Sequence, residues 1–313
     1  MTALMECVPN FSEGRDPAKV DAIVEAMRIS GVYVLDREMD ADHNRSVITL
    51  AGEPGPLLEG VVRGVGKAAE LIDLTRHRGV HPRLGATDVV PFVPIAAATL
   101  EDCVQLARQA GADIWRRHRI PVYLYEAAAT VPQRRHLENI RRGQFERLRG
   151  EIAVNPALRP DYGEACLHPT AGATVVGARK FLIAYNICLD TSDVEIARKI
   201  AKAVRFSGGG LPCLKAMGVL VRGRAQVSMN LTDFEQTPMA RVFEAVRREA
   251  ARHGAKPAAG EIVGLIPQKA VADAAEWLPQ VENFNPSMIL ENRLAAVMSE
   301  AAGKGGVCSP ASR

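Results

Sequence analysis

The order of apolar segments along the chain repeats once, and this repeat limits the possible folds more than any other feature. In the first half, the apolar run MECVPNF precedes a helical pattern, two β-rich runs, a second helical pattern and the strand-like DVVPFVPI. In the second half, KFLIAYNICLD begins the same order, which closes at GEIVGLIP. β-α-β-β-α-β is the order of the ferredoxin-like split motif. The sequence therefore predicts an α+β protein of two ferredoxin-like subdomains packed together.

Helix caps and composition shifts set the expected boundaries. Asp16 and Ser192 stand where they could cap the first helix of each half. A third helix, TLEDCVQLARQAGADIWRRHR, and a strand, IPVYLYE, extend the first half. We expect a first subdomain over residues 1–178, a second over residues 179–300, and a disordered tail over residues 301–313.

A segment of different character lies between the two repeats. QRRHLENIRRGQFERLRGE predicts an Arg-rich helix in which Glu138, Glu146 and Glu151 are interleaved, and such mixed charge indicates a solvated face rather than RNA binding. The stretch that follows is rich in Gly, Pro and Ala and has no periodicity. Unstructured connections of this length are either disordered or functional.

Composition and charge exclude several classes of partner. The net charge of +3 and the aromatic content of 5% give little reason to expect nucleic acid. No window reaches the ~20 apolar residues that a membrane helix needs, and MTALMECVPNFSEGRD does not resemble a secretory signal. The six cysteines form no CxxC pair. We therefore expect a cytoplasmic protein with reduced thiols and with neither nucleic-acid nor membrane partners.

The stretch RHRGVHPRLGATDVVPFVP contains two histidines, His77 and His81, four residues apart. On a helix this spacing could hold zinc. Gly79 and Pro82 oppose a helix there, and no third ligand follows at a suitable spacing. The sequence therefore predicts no metal.

His81 remains as a lone imidazole ahead of a predicted strand. A lone histidine is more often structural than catalytic, but here cations from Arg76, Arg78 and Arg83 surround it. Neighbouring cations lower the pKa of a histidine and keep it neutral, and Asp88 could orient the ring. The pattern indicates a general base.

Several long blocks resemble the formiminotransferase family, which includes the transferase part of formimidoyltransferase–cyclodeaminase. They run collinearly from about residue 5 to about residue 295. The blocks are ECVPNFSEGRD, NRSVITLAG, RHRGVHPRLGATDVVPFVP, PVYLYEAAA, GATVVGARKFLIAYNICL, QVSMNLTDFE and EIVGLIPQKA.

The resemblance implies a reaction and a site. Members transfer the formimino group of N-formimino-L-glutamate to N5 of the co-substrate tetrahydrofolate during histidine degradation, without a metal, and they consist of two ferredoxin-like subdomains. The family's catalytic histidine corresponds to His81 rather than His77. Its folate-binding stretch corresponds to Gly163, Glu164, Ala165, Cys166, Leu167, His168, Pro169, Thr170, Ala171 and Gly172. The unpatterned loop would then be a ligand loop.

Other residues are candidates because both substrates carry glutamate carboxylates, which arginines bind bidentately. The candidates for this role are Arg45, Arg83, Arg179 and Lys180. Asn10, Asp36 and Asp88 are expected in the same cleft. Where known members have an aromatic residue and a serine, this folate loop has His168-Pro169-Thr170-Ala171. We also expect a homodimer and a separate cyclodeaminase that takes the product.

Two alternatives remain open on the sequence. The same base and cleft would serve a formyl donor, or handle 5-formyltetrahydrofolate, because the =NH and =O groups differ by one hydrogen-bonding partner. The second alternative is a ligand-binding module without catalysis, since a fold does not specify a function. His118, His136 and His253 are expected at exposed helix positions.

Overall fold

The computed structural model describes residues 2–79, 81–272 and 277–305. The chain divides into two compact units, Met1–Arg179 and Lys180–Arg313. In the described part of the chain, no helix is long and apolar enough to cross a membrane. The result is a mixed α/β protein with one sheet in each unit.

The first unit is built on a seven-stranded sheet. Its strands are β1 Leu4–Cys7, β2 Asn10–Phe11, β3 Val32–Asp40, β4 Arg45–Gly52, β5 Thr87–Ala96, β6 Val122–Glu126 and β7 Thr174–Ala178. Both β1 and β2 lie between β4 and β5, so the order across the sheet is β3-β4-(β1, β2)-β5-β7-β6. The strands up to β5 pair antiparallel, whereas β5, β7 and β6 are parallel.

Three helices of the first unit contribute to one apolar cluster with strand side chains such as Ile48, Leu50 and Phe92. They are α1 Pro17–Met27, α2 Pro54–Leu71 and α3 Leu100–His118. The predicted cap at Asp16 is confirmed, because its carboxylate accepts from the backbone N–H groups of the first turn. Thr99 and Asp102 form a capping box at the start of α3. These helices therefore cover one face of the sheet.

The strand β7 was not predicted from the sequence. Its residues, TVVGA, were assigned to the unpatterned connection, yet all five are buried. A strand buried on both faces carries a short continuous apolar run instead of alternation, so periodicity does not reveal it. The strand β7 lies between β5 and β6 and is parallel to both, so the sheet continues beyond β5 with two parallel strands.

The predicted Arg-rich helix is also corrected. It is two short helices, α4 Leu137–Ile140 and α5 Gln144–Glu151. Gly143 adopts a left-handed conformation with φ of +80°, which separates them. Phe145 and Leu148 are buried against the sheet. The segment is therefore a packed part of the first unit and not only a solvated face.

The second unit follows the predicted β-α-β-β-α-β order. Its elements are β8 Ile183–Leu189, α6 Val194–Val204, β9 Leu214–Val221, β10 Arg224–Leu231, α7 Met239–Arg252, β11 Pro257–Val263 and α8 Leu290–Gly305. The sheet is antiparallel in the order β11-β8-β10-β9. If the four strands of this unit are numbered along the chain, their order across the sheet is fourth, first, third, second. In the first unit, the strands β1, β3, β4 and β5 have the same order, namely β5-β1-β4-β3.

Two predictions for the second unit are wrong. The cap of α6 is Asp193 and not Ser192, because the Asp193 carboxylate accepts from the Glu195 backbone N–H at 2.9 Å. Residues 301–305, expected to be disordered, continue α8. The remainder of the predicted tail, residues 306–313, lies outside the described residues.

Candidate active site

The segment that carries His81 leads directly into the central strand β5. Residues 77–79 are not helical, so the helical zinc geometry is not formed. The Leu84 backbone N–H donates to Asp88 Oδ1 at 2.8 Å, which folds the segment back onto the start of β5. His81 Nε2 then lies 3.8 Å from Asp88 Oδ2. The local fold thus brings the imidazole to the carboxylate that the sequence suggested as its partner.

Asp88 is shared between His81 and Arg141. The carboxylate is only 2% exposed, and its Oδ2 also forms an ion pair with the Arg141 guanidinium. Arg141 ends α4, and the buried Phe145 that follows anchors the segment through its backbone N–H to the Arg83 carbonyl at 3.0 Å. Asp88 therefore has both a cation and an imidazole beside it.

The electrostatic surroundings keep His81 neutral. Burial, assisted by the positive charges of Arg45 and Arg141 and by His43, lowers its pKa to about 3, and the Asp40 carboxylate opposes this shift weakly. The His43 and His81 rings lie edge to face, with centroids 6.4 Å apart. A neutral imidazole can accept a proton, so the environment preserves the form that a general base requires.

Arg45 connects this centre to Asn10. Arg45 Nη1 donates to Asn10 Oδ1 at 3.4 Å, and Asn10 is held in turn by the Val8 carbonyl at 3.0 Å. Burial and the neighbouring Arg141 guanidinium lower the pKa of Arg45. The structure therefore brings together four of the predicted residues, namely Asn10, Arg45, His81 and Asp88.

His77 has a structural position. Its Nδ1 accepts from Arg83 Nε at 3.1 Å, which leaves Nε2 to donate to the Asn44 carbonyl at 3.1 Å. The residue is 7% exposed, and burial lowers its pKa. Because protein groups occupy both ring nitrogens, His77 has no free nitrogen to bind a metal or a substrate.

Arg83 was predicted to bind a substrate carboxylate, and the structure places it differently. Its guanidinium donates to both carboxylate oxygens of Glu146, at 2.9 and 2.6 Å, as well as to Gln144 and His77. These bonds lower the pKa of Glu146. Arg83 is only 7% exposed. It therefore holds α5 on the sheet, because its donors are already committed to protein groups.

The other three candidates have neighbours outside this group of four residues. Asp36 lies on β3 opposite Thr49, four residues before Asp40, which is about 13 Å along a strand. Arg179 instead hydrogen bonds with Tyr125 and lies near the buried Glu6; burial raises the pKa of Glu6 to about 7, and Arg179 opposes that rise. Lys180 begins the second unit, where its ammonium lies 2.6 Å from Asp233.

The predicted folate-binding stretch, residues 163–172, borders the His81 segment. The Ala86 N–H donates to the Ala171 carbonyl at 2.9 Å, and Gly85 pairs with Gly172. His168 Nδ1 accepts from the Ala171 N–H at 3.0 Å. Burial lowers the pKa of His168. In this chain His168 therefore stabilises the turn that ends the loop.

Sequence reasoning missed three residues of the centre, namely Asp40, His43 and Arg141. His43 Nδ1 lies 2.7 Å from Asp40 Oδ2, a spacing visible in the polar turn MDADHN that was treated only as a connection. Arg141 is one of many arginines in its segment, and no pattern distinguishes it from the others. His118, expected to be exposed, is half-buried, with Nε2 3.1 Å from the Val62 carbonyl, whereas His136 and His253 are exposed as predicted.

The buried neutral imidazole of His81 gives a testable pH dependence of stability. In the unfolded chain its pKa is near 6.5, whereas in the folded protein it is about 3. Between these values the unfolded state binds more protons, so the free energy of unfolding falls as the pH falls. We expect wild type to lose stability relative to His81→Gln by about 1.4 kcal/mol per pH unit below pH ~6. Urea unfolding at pH 7, 6 and 5 measures this difference, and parallel curves for the two proteins would contradict it.

Comparison with known proteins gives the family. The family model described as "Formiminotransferase domain, N-terminal subdomain" matches residues 4–179, and the "Formiminotransferase domain" model matches residues 184–302. The chain belongs to the formiminotransferase family. All the members of the His81 centre lie within the matched N-terminal subdomain.

Relatives within the formiminotransferase family match nearly the whole chain. Glutamate formimidoyltransferase of Streptococcus pyogenes serotype M1 is 47% identical over 298 residues, covering 94% of this chain and 99% of that protein. The protein of the same name from Thermoplasma acidophilum is 45% identical, covering 93% and 97%. Formimidoyltransferase-cyclodeaminase of Dictyostelium discoideum is 41% identical and covers 91% of this chain, which spans 54% of that longer relative.

Proposed function

We propose that this protein is a glutamate formimidoyltransferase. It transfers the formimino group of N-formimino-L-glutamate to N5 of tetrahydrofolate and releases L-glutamate. The observation that carries the proposal is the 47% identity with a glutamate formimidoyltransferase over nearly the full length of both proteins. The His81 centre supports it, because the reaction needs a neutral base and the surroundings of His81 maintain one.

His81 moves the proton in this account. Attack of N5 on the formimino carbon forms a new C–N bond, and the proton leaving N5 passes to the imidazole. When the tetrahedral intermediate collapses, the C–N bond to glutamate breaks, and the imidazole returns the proton to the departing amine. Since Nε2 is buried against Asp88, the nitrogen left for this exchange is Nδ1. Asp88 would orient the ring and stabilise the imidazolium while it exists.

The remaining rate enhancement comes from holding two substrates together. The stretch 163–172 is the proposed folate-binding element, supported by the hydrogen bond from Ala86 to Ala171 and the pairing of Gly85 with Gly172, close to His81 in the chain. Arg45 is the proposed ligand for a substrate carboxylate, since it lies beside His81. No step in this scheme requires a metal.

We also infer that both units are ferredoxin-like subdomains. The support is the shared β-α-β-β-α-β order and the shared strand order of fourth, first, third, second. In the first unit α3, β6 and β7 are additions to that core.

A transfer assay tests the proposed reaction. Wild type is mixed with tetrahydrofolate and either N-formimino-L-glutamate or N-formyl-L-glutamate, and the release of L-glutamate is followed. We expect turnover with the formimino donor and a kcat/KM at least about tenfold lower with the formyl donor, because an uncharged carbonyl is a poorer electrophile than an amidinium carbon. Faster turnover with the formyl donor would indicate that the protein transfers a formyl group instead of a formimino group. Absence of turnover with both donors would reject the transferase assignment.

A further inference from the structure

Two arginines lie near His81 on different elements, and their positive charges disfavour the protonated form of its imidazole. Arg45 comes from β4 and Arg141 from the end of α4, and the charge of each disfavours protonation of His81. Arg141 also lowers the pKa of Arg45, as expected for like charges held close together. Asp88 is already paired with Arg141. The carboxylates of Glu38, Asp40 and Asp88 act on Arg45 in the opposite sense, so both arginines have anions nearby.

The polar atoms of this centre are incompletely satisfied. Within the described residues, the buried atoms without a hydrogen-bond partner include Arg45 Nε, Arg141 Nε and His81 Nε2. Buried polar groups normally have partners, and unpaired ones are costly. Three such atoms in one electrostatic cluster indicate a site that is completed by something else. Two adjacent guanidinium groups with unused donors are suited to a carboxylate.

A neutral imidazole that is buried near two cations is also a weak base. It is available to accept a proton, but the resulting imidazolium would be strongly disfavoured beside two guanidinium groups. The nearby anions are Asp88, which Arg141 engages, Asp40, which His43 engages, and Glu38, whose charge acts on Arg45. An additional negative charge at the two guanidinium groups would therefore raise the proton affinity of His81.

We infer that Arg141 and Arg45 together bind a substrate carboxylate beside His81, and that this anion makes the imidazole an effective base. The bound carboxylate accepts from the two guanidinium groups and lets Asp88 turn from Arg141 toward His81 Nε2, which lies 3.8 Å from Asp88 Oδ2. Arg141 is thus a positioning residue for the proton transfer as well as a ligand. This inference rests on the proposed function for the identity of the substrate, and it extends that function by coupling substrate charge to proton transfer.

The test measures the pKa of His81 by NMR in protein carrying ¹⁵N-labelled histidine, with the resonance assigned from His81→Gln. L-glutamate is the dicarboxylate probe, and its diamide, which keeps the amino group but has no carboxylate, is the matched control. We expect saturating L-glutamate to raise the pKa of His81 by at least about one unit, and the diamide to leave it unchanged. Because a folate also carries glutamate, 5-formyltetrahydrofolate and its analogue without glutamate are compared in the same way. A rise with L-glutamate alone identifies the donor carboxylate as the ligand, and a rise only with the intact folate identifies the folate tail.

Variants at two neighbouring arginines separate the inferred role from general charge. In Arg141→Gln the pKa of His81 should already be higher without ligand, the ligand-induced rise should shrink to less than half, and KM for the substrate that supplies the carboxylate should increase about tenfold. Arg141→Lys should recover part of the ligand-induced rise. Arg142→Gln changes an exposed neighbour and should behave as wild type.

Two results would overturn the inference. One is a pKa of His81 that no carboxylate ligand changes, and the other is a full ligand-induced rise in folded Arg141→Gln. These are distinguishable from failure of the proposed reaction. Formimino transfer without the rise rejects only the role of Arg141, whereas the rise without any formimino transfer rejects only the reaction.

Discussion

Replacing His81 by Gln is expected to lower kcat for formimino transfer by about 10²–10⁴-fold, the usual contribution of a general acid–base group. The loss falls on kcat because the imidazole acts on the proton and not on either carboxylate. Gln has a similar size and is polar, and wild-type His81 is neutral, so the fold should be retained at pH 7. Single-turnover kinetics with both substrates saturating measures the effect.

His77→Gln is the control for this prediction. His77 lies four residues away and is also buried, but its ring nitrogens are bonded to Arg83 and to the Asn44 carbonyl. We expect His77→Gln to lower the thermal midpoint while keeping kcat within about threefold of wild type. Equal losses of kcat in the two variants, both folded, would contradict the assignment of His81 as the base.

Replacing Asp88 by Asn is expected to affect both stability and turnover. The side chain is 2% exposed, and its charge compensates Arg141 beside His81. Breaking one side of a buried ion pair costs about 3–5 kcal/mol, because the remaining charge is left without a partner. The Asn oxygen could still accept from the Leu84 N–H, so the local turn should persist. Without the charge of Asp88 to stabilise the imidazolium, we also expect kcat to fall at least about tenfold.

Urea unfolding and steady-state kinetics measure the two effects of Asp88→Asn. Asp21→Asn is a suitable control, because Asp21 pairs with Arg37 on the surface, where its side chain is 61% exposed. Exposed pairs contribute little, so this variant should resemble wild type in both assays. If Asp88→Asn were as stable and as active as the control, the shared carboxylate would have no role at this site.

Much of the fold follows from short-range patterns in the sequence. The β-rich composition of NRSVITLAG and the helical spacing in α2 predicted those elements correctly. The two matching strand orders follow from the repetition of that pattern. The strand β7 was missed, since burial of all its residues removes the alternation.

The candidate site was only partly predictable for a different reason. His81 and Asp88 are close in sequence, so their pairing could be inferred from the sequence itself. Arg141 reaches Asp88 across 53 residues, and its position depends on the break at Gly143 and on the burial of Phe145. Arg83 is also surrounded by charge, yet tertiary packing commits it to Glu146. Sequence composition identifies such arginines as a class, whereas only the fold assigns their partners.

A crystal structure of the protein with 5-formyltetrahydrofolate bound would test the central claim most directly. We predict that the pterin N5 lies within about 4 Å of His81 Nδ1, near enough for proton transfer in a productive complex, and that residues 163–172 contact the folate. Folate bound in the structure with N5 far from His81, and without contact to residues 163–172, would contradict the proposed site.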